Sequence, residues 1–267
     1  NSEESHTRVY SNKKSFQEKK DGNSIWGIKQ DKDDILWFVT QSEGLGRFSF
    51  ESGKISYYLT DREETFWDLV IDDKGYFWIA TSNGIKVFRR EKSTFTQVAH
   101  FLEGVFVDSI FKSDNKIWLV EEKNVAFSID SALLNDFLTS TTSVSIIEKY
   151  IIPGLDVASA IQHKDKLGRL WITNPKSLFI YNPDTAKKIK TIILENPSEF
   201  RTVTIFPWRD SYWALTSKNT LLQINKVSLE IVNQKIIDGE RNGPMSAIPH
   251  NEILWVATNN SIYGYDL

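Results

Sequence analysis

The chain contains no cysteine, one methionine and seven prolines in 267 residues. Without cysteine there can be no disulfide, thiolate zinc site, iron–sulfur cluster or thiol nucleophile. No apolar run approaches the roughly 18 residues of a membrane span. The formal net charge of -3 lacks the basic excess with which a protein neutralises phosphates, so no nucleic-acid partner is expected. The polar start, Asn1 to Lys20, has no hydrophobic core of an export signal, and any such signal is expected to have been removed already. Disorder is excluded by the 40% hydrophobic content. What the chain has in abundance is large rings: nine Trp, nine Tyr and sixteen Phe.

Six of the tryptophans recur at intervals of about forty residues, with one longer gap: Trp37, Trp78, Trp118, Trp171, Trp213 and Trp255. The surrounding text recurs as well. Leu36-Trp37-Phe38-Val39-Thr40, Phe77-Trp78-Ile79-Ala80-Thr81 and Leu254-Trp255-Val256-Ala257-Thr258 are near copies, and the other three are weaker ones. Each tryptophan follows a turn bearing Asp, Gly or Asn and sits in a run of β-branched and aromatic residues. A second alternating segment and a polar hairpin come next, and an apolar segment precedes each turn. Four short strands per unit of about forty residues is the grammar of a β-propeller blade. A lone four-stranded sheet leaves an apolar face exposed, so such units need neighbours. The six tryptophans are therefore read as blade core.

The expected fold is all-β, a propeller of six four-stranded blades, with seven as the alternative. The whole of 1–267 is read as one propeller domain. Segment 1–20 is expected to complete the last blade, with its strand near Ser15 to Glu18. The long interval between Trp118 and Trp171 is assigned to a short helical insertion in the third blade at about 131–140, where Ser131 to Leu138 shows helical apolar spacing.

The string from Asp72 through Gly75, Trp78, Ile79 and Thr81 to Gly84-Ile85 resembles the two-component-regulator propeller repeat. That pattern reads Asp, spacer, Gly, two residues, Trp, Ile, Gly, Thr, then Gly-Leu. Asp31 to Phe50 fits nearly as well, and the later units keep the tryptophan but little else. The resemblance implies an extracytoplasmic (periplasmic) sensor domain of a hybrid two-component system that recognises glycan fragments and drives a kinase. That family usually closes with seven blades. The segment Asp73 to Trp78 also resembles the Asp-box of sialidases, a fold-stabilising turn, without its Ser and Thr.

No catalytic constellation, metal-ligand spacing or cofactor motif emerges. His6, His100, His163 and His250 are scattered, and His163 with Asp165 lies in a blade turn. Catalytic and metal residues and cofactors are all read as none, and the domain as not itself an enzyme. The ligand-binding candidates are residues outside the repeat. Trp26 and Trp67 each stand eleven residues before a blade tryptophan, at the start of an innermost strand near the channel mouth. Asp68 and Asp108 occupy matching positions in consecutive blades. Trp208, in Phe206-Pro207-Trp208-Arg209, is a further aromatic candidate. Rings covering sugar C–H faces and carboxylates accepting hydroxyl hydrogen bonds suit an oligosaccharide. The expected partners are an oligosaccharide or other small ligand and a second copy of the chain, with no membrane contact. A protein-binding scaffold and a propeller lyase or glycosidase stand as alternative readings.

Overall fold

In the computed structural model the chain forms six four-stranded antiparallel sheets, the blades of a six-bladed β-propeller. The structure describes residues 8–10, 25–49, 52–60, 64–122, 125–140, 145–153, 155, 159–174, 177–183, 185, 187–193, 202–237, 244–250, 252–258 and 262–266. Blades 1 to 5 are each built from consecutive strands, with inner strands Ile25–Gln30, Phe66–Ile71, Ile110–Ser113, Ala160–Lys164 and Thr202–Trp208. Blade 6 draws on both ends of the chain: Pro244–His250, Ile253–Thr258 and Ile262–Asp266 are completed by Arg8–Tyr10. Val9 there pairs with Tyr263 and Tyr10 with Ile262. The strand expected near Ser15 to Glu18 lies outside the described residues, and the pairing segment is the earlier one. Between the last two strands of blade 3, a 3-10 turn Ser131–Leu133 and a helix Leu134–Thr139 occupy the insertion.

By contacts the chain divides into two units. Residues 1–62 with 198–267 hold blades 5, 6 and 1, and residues 63–197 hold blades 2, 3 and 4. Inside the units, four of the repeated tryptophans lie between sheets. Trp78 is fully buried against Phe101 of its own blade and against Ile110, Ile117 and Leu119 of blade 3. Its indole stacks on Phe101 at 5.7 Å. Trp118 packs with Ile161, Leu170 and Ile172 of blade 4. In the other unit, Trp255 packs with Ile25, Ile28 and Leu36 of blade 1, and half-buried Trp213 against Ala247 and Leu254 of blade 6.

Two kinds of hairpin lead into the tryptophan strands. In blades 1, 2 and 4 an aspartate six residues before the tryptophan clamps a five-residue loop. Asp72 Oδ1 accepts the amides of Lys74 and Tyr76, and its Oδ2 accepts the Trp78 indole N–H at 2.9 Å. Asp31 does the same for Asp33, Ile35 and Trp37, and Asp165 for Leu167, Arg169 and Trp171. The residue three after the aspartate adopts positive φ, as Gly75 (83°), Gly168 (76°) and Asp34 (60°). Glycine suits that position because it carries no Cβ to clash. In blades 3, 5 and 6 the hairpins are tight, closing at Ser113–Lys116, Trp208–Ser211 and His250–Ile253. Lys112, Pro207 and Pro249 stand where the aspartate would be. Among the described residues, the indole N–H groups of Trp118 and Trp213 accordingly have no acceptor.

Asp165 carries an extra donor, the Arg169 guanidinium at 2.6 Å. Burial works to raise its pKa, but hydrogen bonds from Trp171 and Arg169, with the Arg169 charge, hold it below the ordinary carboxylate value. A folded-state pKa below the unfolded one, about 3.9 for Asp, contributes stability that is whole above about pH 4. That stability is lost as pH falls through the depressed value. Thermal melting across pH 2.5 to 6, each limit taken as about the carboxylate range, is expected to fall more steeply with acid in the wild type than in Asp165→Asn. Equal slopes would refute this role.

Candidate functional site

In blades 1, 2, 5 and 6 a β-bulge lies one residue into the inner strand. In blade 2, Phe66 pairs with Thr81 and Asp68 with Ala80, which leaves Trp67 as the extra residue. In blade 1, Ile25 pairs with Thr40 and Gly27 with Val39, and Trp26 is the extra residue. Val203 and Met245 hold the corresponding place in blades 5 and 6. An extra residue locally breaks the ladder and re-aims its side chain. Both tryptophans are half-buried.

Within the unit of blades 2 to 4, Trp67 meets Phe106 edge-on, with ring centroids 5.4 Å apart. Phe106 is 52% exposed, unusual for so large a ring on a short connection. Its loop is pinned on both sides. Gly84 N–H donates to Val105 O at 2.6 Å, and Val107 N–H to Thr81 O at 3.0 Å. Asn83 Oδ1 accepts the Gly104 amide at 2.6 Å. Thr81 organises the turn from beneath, its Oγ1 donating to Gly84 O and accepting from the Asn83 amide. The aromatic is thus presented by an anchored backbone.

A polar cluster gathers around Asn83 of the same turn. The Glu64 carboxylate pairs with Lys86 at 2.9 Å and accepts from Asn83 Nδ2 at 3.4 Å. His100 Nε2 lies 2.5 Å from Asn83 O. Burial pushes the Glu64 pKa up, yet hydrogen bonds from Lys86, Asn83 and Thr81, with the Lys86 charge, leave it lowered, so it is ionised at neutral pH. Lys86 and His100 are cross-strand partners on the third and fourth strands of the blade.

The residues singled out from sequence are shared between the two units. Trp67, Asp68 and Asp108 belong to adjacent blades of one unit, and Trp26 lies in the other. Asp68 ties blades together: Oδ1 accepts the Leu69 amide at 2.8 Å and Oδ2 the Ile110 amide at 3.1 Å. Asp108 is half-buried two residues before the inner strand of blade 3 rather than within it. Trp208 ends its inner strand at the hairpin, the opposite strand end from the bulge. There the Arg209 guanidinium stacks 4.2 Å above its ring, and Arg209 also pairs with Glu252. Of the histidines, His163 packs edge-on against Phe111 and His250 Nε2 lies 3.3 Å from Gln30 Nε2, while His6 lies outside the described residues. Among the described residues no three His, Asp or Glu side chains are grouped to hold a metal ion. Nor is any helix there long and apolar enough to cross a membrane. Sequence reading missed Glu64, Asn83, Lys86 and Phe106 and set His100 aside with the other histidines. The Thr-Ser-Asn-Gly string before Ile85 marked the turn but not what it grips.

No protein-family model matches the chain, and no curated protein matches it in sequence. Solved structures share its fold. The extracellular domain of a hybrid two-component system from B. thetaiotaomicron aligns at 15% identity and a TM-score of 0.64. That alignment covers 97% of this chain and 42% of that one, so the chain spans well under half the length of this neighbour. Virginiamycin B lyase from Staphylococcus aureus aligns at 15% identity and a TM-score of 0.66, covering 99% of this chain and 100% of the lyase. A chain of the mitotic checkpoint complex aligns at 11% identity and a TM-score of 0.62 over 92% of this chain and 87% of its own. Likeness at these identities carries the fold alone, and an extracellular domain of a two-component system, a lyase and a checkpoint assembly all contain it.

Proposed function

We propose that the chain is a non-catalytic, extracytoplasmic ligand-sensing propeller of a bacterial two-component receptor, and that it recognises a glycan fragment at the rim of blades 2 and 3. The observation that carries this reading is Phe106, a half-exposed ring on a loop fastened on both sides and braced by Trp67. A fixed, solvent-facing aromatic covers the C–H face of a sugar with little ordering cost. Glu64, Asn83, Lys86 and His100 supply charged and amide groups around that turn for hydroxyls. Asp108 is a further acceptor at the head of blade 3. The structural neighbours from B. thetaiotaomicron support a sensor on this fold, and the repeat resemblance of Asp72 to Ile85 supports the same class.

Calorimetric titration with a library of neutral and acidic oligosaccharides is expected to find saturable binding. Phe106→Ala is expected to weaken it about tenfold, equivalent to about 1.4 kcal/mol, with an unchanged melting temperature because the ring is largely outside the core. Mass spectrometry of the recovered sugar is expected to return it intact, whereas a lyase or glycosidase would return fragments. A library without a binder, or binding indifferent to Phe106→Ala, would sink the reading.

A further inference from the structure

Asn83 and Gly84 form one of two Asn-Gly pairs in the chain, the other being Asn242–Gly243, outside the described residues. Such a pair carries a chemistry of its own. Glycine has no side chain to shield its amide nitrogen. That nitrogen can therefore close on the side-chain carbonyl carbon of the preceding asparagine.

In the folded turn the groups this closure needs are already engaged. Gly84 N–H, the hydrogen the attacking nitrogen must give up, is held by Val105 O at 2.6 Å. Asn83 Oδ1 accepts the Gly104 amide at 2.6 Å, and Nδ2 donates to Glu64 Oε1 at 3.4 Å. These partners also fix which way the carboxamide faces, since a backbone amide only donates and an ionised carboxylate only accepts. The Asn83 backbone is gripped as well, its N–H by Thr81 Oγ1 at 3.0 Å and its carbonyl oxygen by His100 Nε2 at 2.5 Å. Asn83 Cγ can meet Gly84 N only after the side chain leaves Gly104 and Glu64 and the Gly84 hydrogen leaves Val105. Gly104 and Val105 belong to the loop that also presents Phe106, and Gly84 is buried beneath it. Opening that loop frees the attacking nitrogen and the carboxamide oxygen in one movement.

We propose that Asn83–Gly84 is a gated self-modification site, held shut by the 102–107 loop and converted through a succinimide when the loop opens. In the open state Gly84 N gives its proton to solvent base and attacks Asn83 Cγ. The N–Cγ bond forms, the Cγ–Nδ2 bond breaks, and Nδ2 leaves as ammonia after taking a proton from water. Water then opens the ring. Attack at Cγ breaks the new N–Cγ bond and leaves aspartate, whereas attack at the Asn83 backbone carbonyl carbon breaks its bond to Gly84 N and leaves isoaspartate. Both products spoil the latch. Aspartate has no N–H for Glu64 and sets a second carboxylate beside it, where Lys86 is already paired with the first. Isoaspartate lengthens the backbone by a methylene in a turn whose Asn83 N–H and Gly84 O both rest on Thr81 Oγ1. Each conversion is thus a permanent record of one opening, whatever ligand the rim binds.

Peptide mapping by mass spectrometry, after incubation in mildly alkaline buffer, is expected to find both products at Asn83. They are expected to form at least about tenfold more slowly in the folded chain than in the chain held in urea, because reaction waits on local opening. Thr81→Val removes the hydroxyl that grips the turn and leaves the reacting pair intact. It is expected to raise the folded rate several-fold and to leave the rate in urea unchanged. Hydrogen exchange on the same samples separates the loop from global unfolding. Conversion is expected to keep pace with exchange of the Gly104 and Val105 amides rather than with that of the Trp78 amide. Equal rates in the folded and urea-held chains, or a folded rate that does not follow Gly104 exchange between wild type and Thr81→Val, overturns the proposal.

Discussion

Asp72→Ala is expected to destabilise the protein by about 3 kcal/mol, read from the shift of the urea midpoint at constant slope. The carboxylate accepts three hydrogens, those of the Lys74 and Tyr76 amides and the Trp78 indole. The indole is fully buried, so its N–H has no water to turn to, and an orphaned buried donor costs about 1–3 kcal/mol. The two amides sit at the turn surface and recover part of their loss from solvent. Asp72→Asn tests the assignment, because an amide offers one acceptor oxygen where the clamp uses two, and an intermediate loss is expected. Lys112→Ala provides the contrast. Lys112 stands in the same place relative to Trp118, but its ammonium only reaches Asp73 at the surface, a pair worth about 0–1 kcal/mol. Comparable losses for Asp72→Ala and Lys112→Ala would remove the clamp from the account of blade stability.

The same clamp explains how far the fold could be read from the residues alone. The tryptophan period set the six blades because a wedge between sheets must be large and apolar at the same strand position each time, and few other pressures produce that spacing. Asp-x-x-Gly-x-x-Trp and its Asp34 variant were visible, but the distinction between clamped and tight hairpins was not drawn from them. Lys112, Pro207 and Pro249 carried that distinction. Outer strands were the weakest signal. An exposed strand needs little apolar content, so Val9 and Tyr10 competed on equal terms with the run ending at Phe16, and the pairing fell to Arg8–Tyr10. The inner strand of blade 3 likewise begins at Ile110 rather than Val107, because the Val107 amide is drawn to Thr81 O.

The rim was less legible still. Trp26 and Trp67 stood out because they break the repeat, yet their shared cause, a bulge one residue into the inner strand, has no side-chain signature. Phe106 looked like one more phenylalanine among sixteen. Its exposure depends on hydrogen bonds between its loop and residues 81 to 84, which only the folded turn brings together. Asp68 was readable as a carboxylate in the right blade, but its occupation by the Leu69 and Ile110 amides depends on the adjoining strand.

Gly84→Ala is expected to cost about 3 kcal/mol and to loosen the loop that presents Phe106. Gly84 adopts φ +96°, a conformation that L side chains rarely take, with a penalty of about 1–2 kcal/mol. A Cβ there would lie 2.3 Å from Phe101 O and 2.7 Å from Leu102 O, both backbone atoms that cannot rotate aside. Overpacking of that kind adds about 1–3 kcal/mol. Relief requires the chain at 101–102 to withdraw, and the Gly84 N–H to Val105 O bond is then lost with it. Gly75→Ala separates strain from collision. Its φ is +83°, but a Cβ at that position meets nothing within 4 Å, so a loss of only about 1–2 kcal/mol is expected. Hydrogen exchange should report the difference directly. In Gly84→Ala the amides of Gly104, Val105 and Val107 are expected to exchange faster than in Gly75→Ala at matched stability. Equal protection in the two variants would mean that the loop is held by something other than this turn.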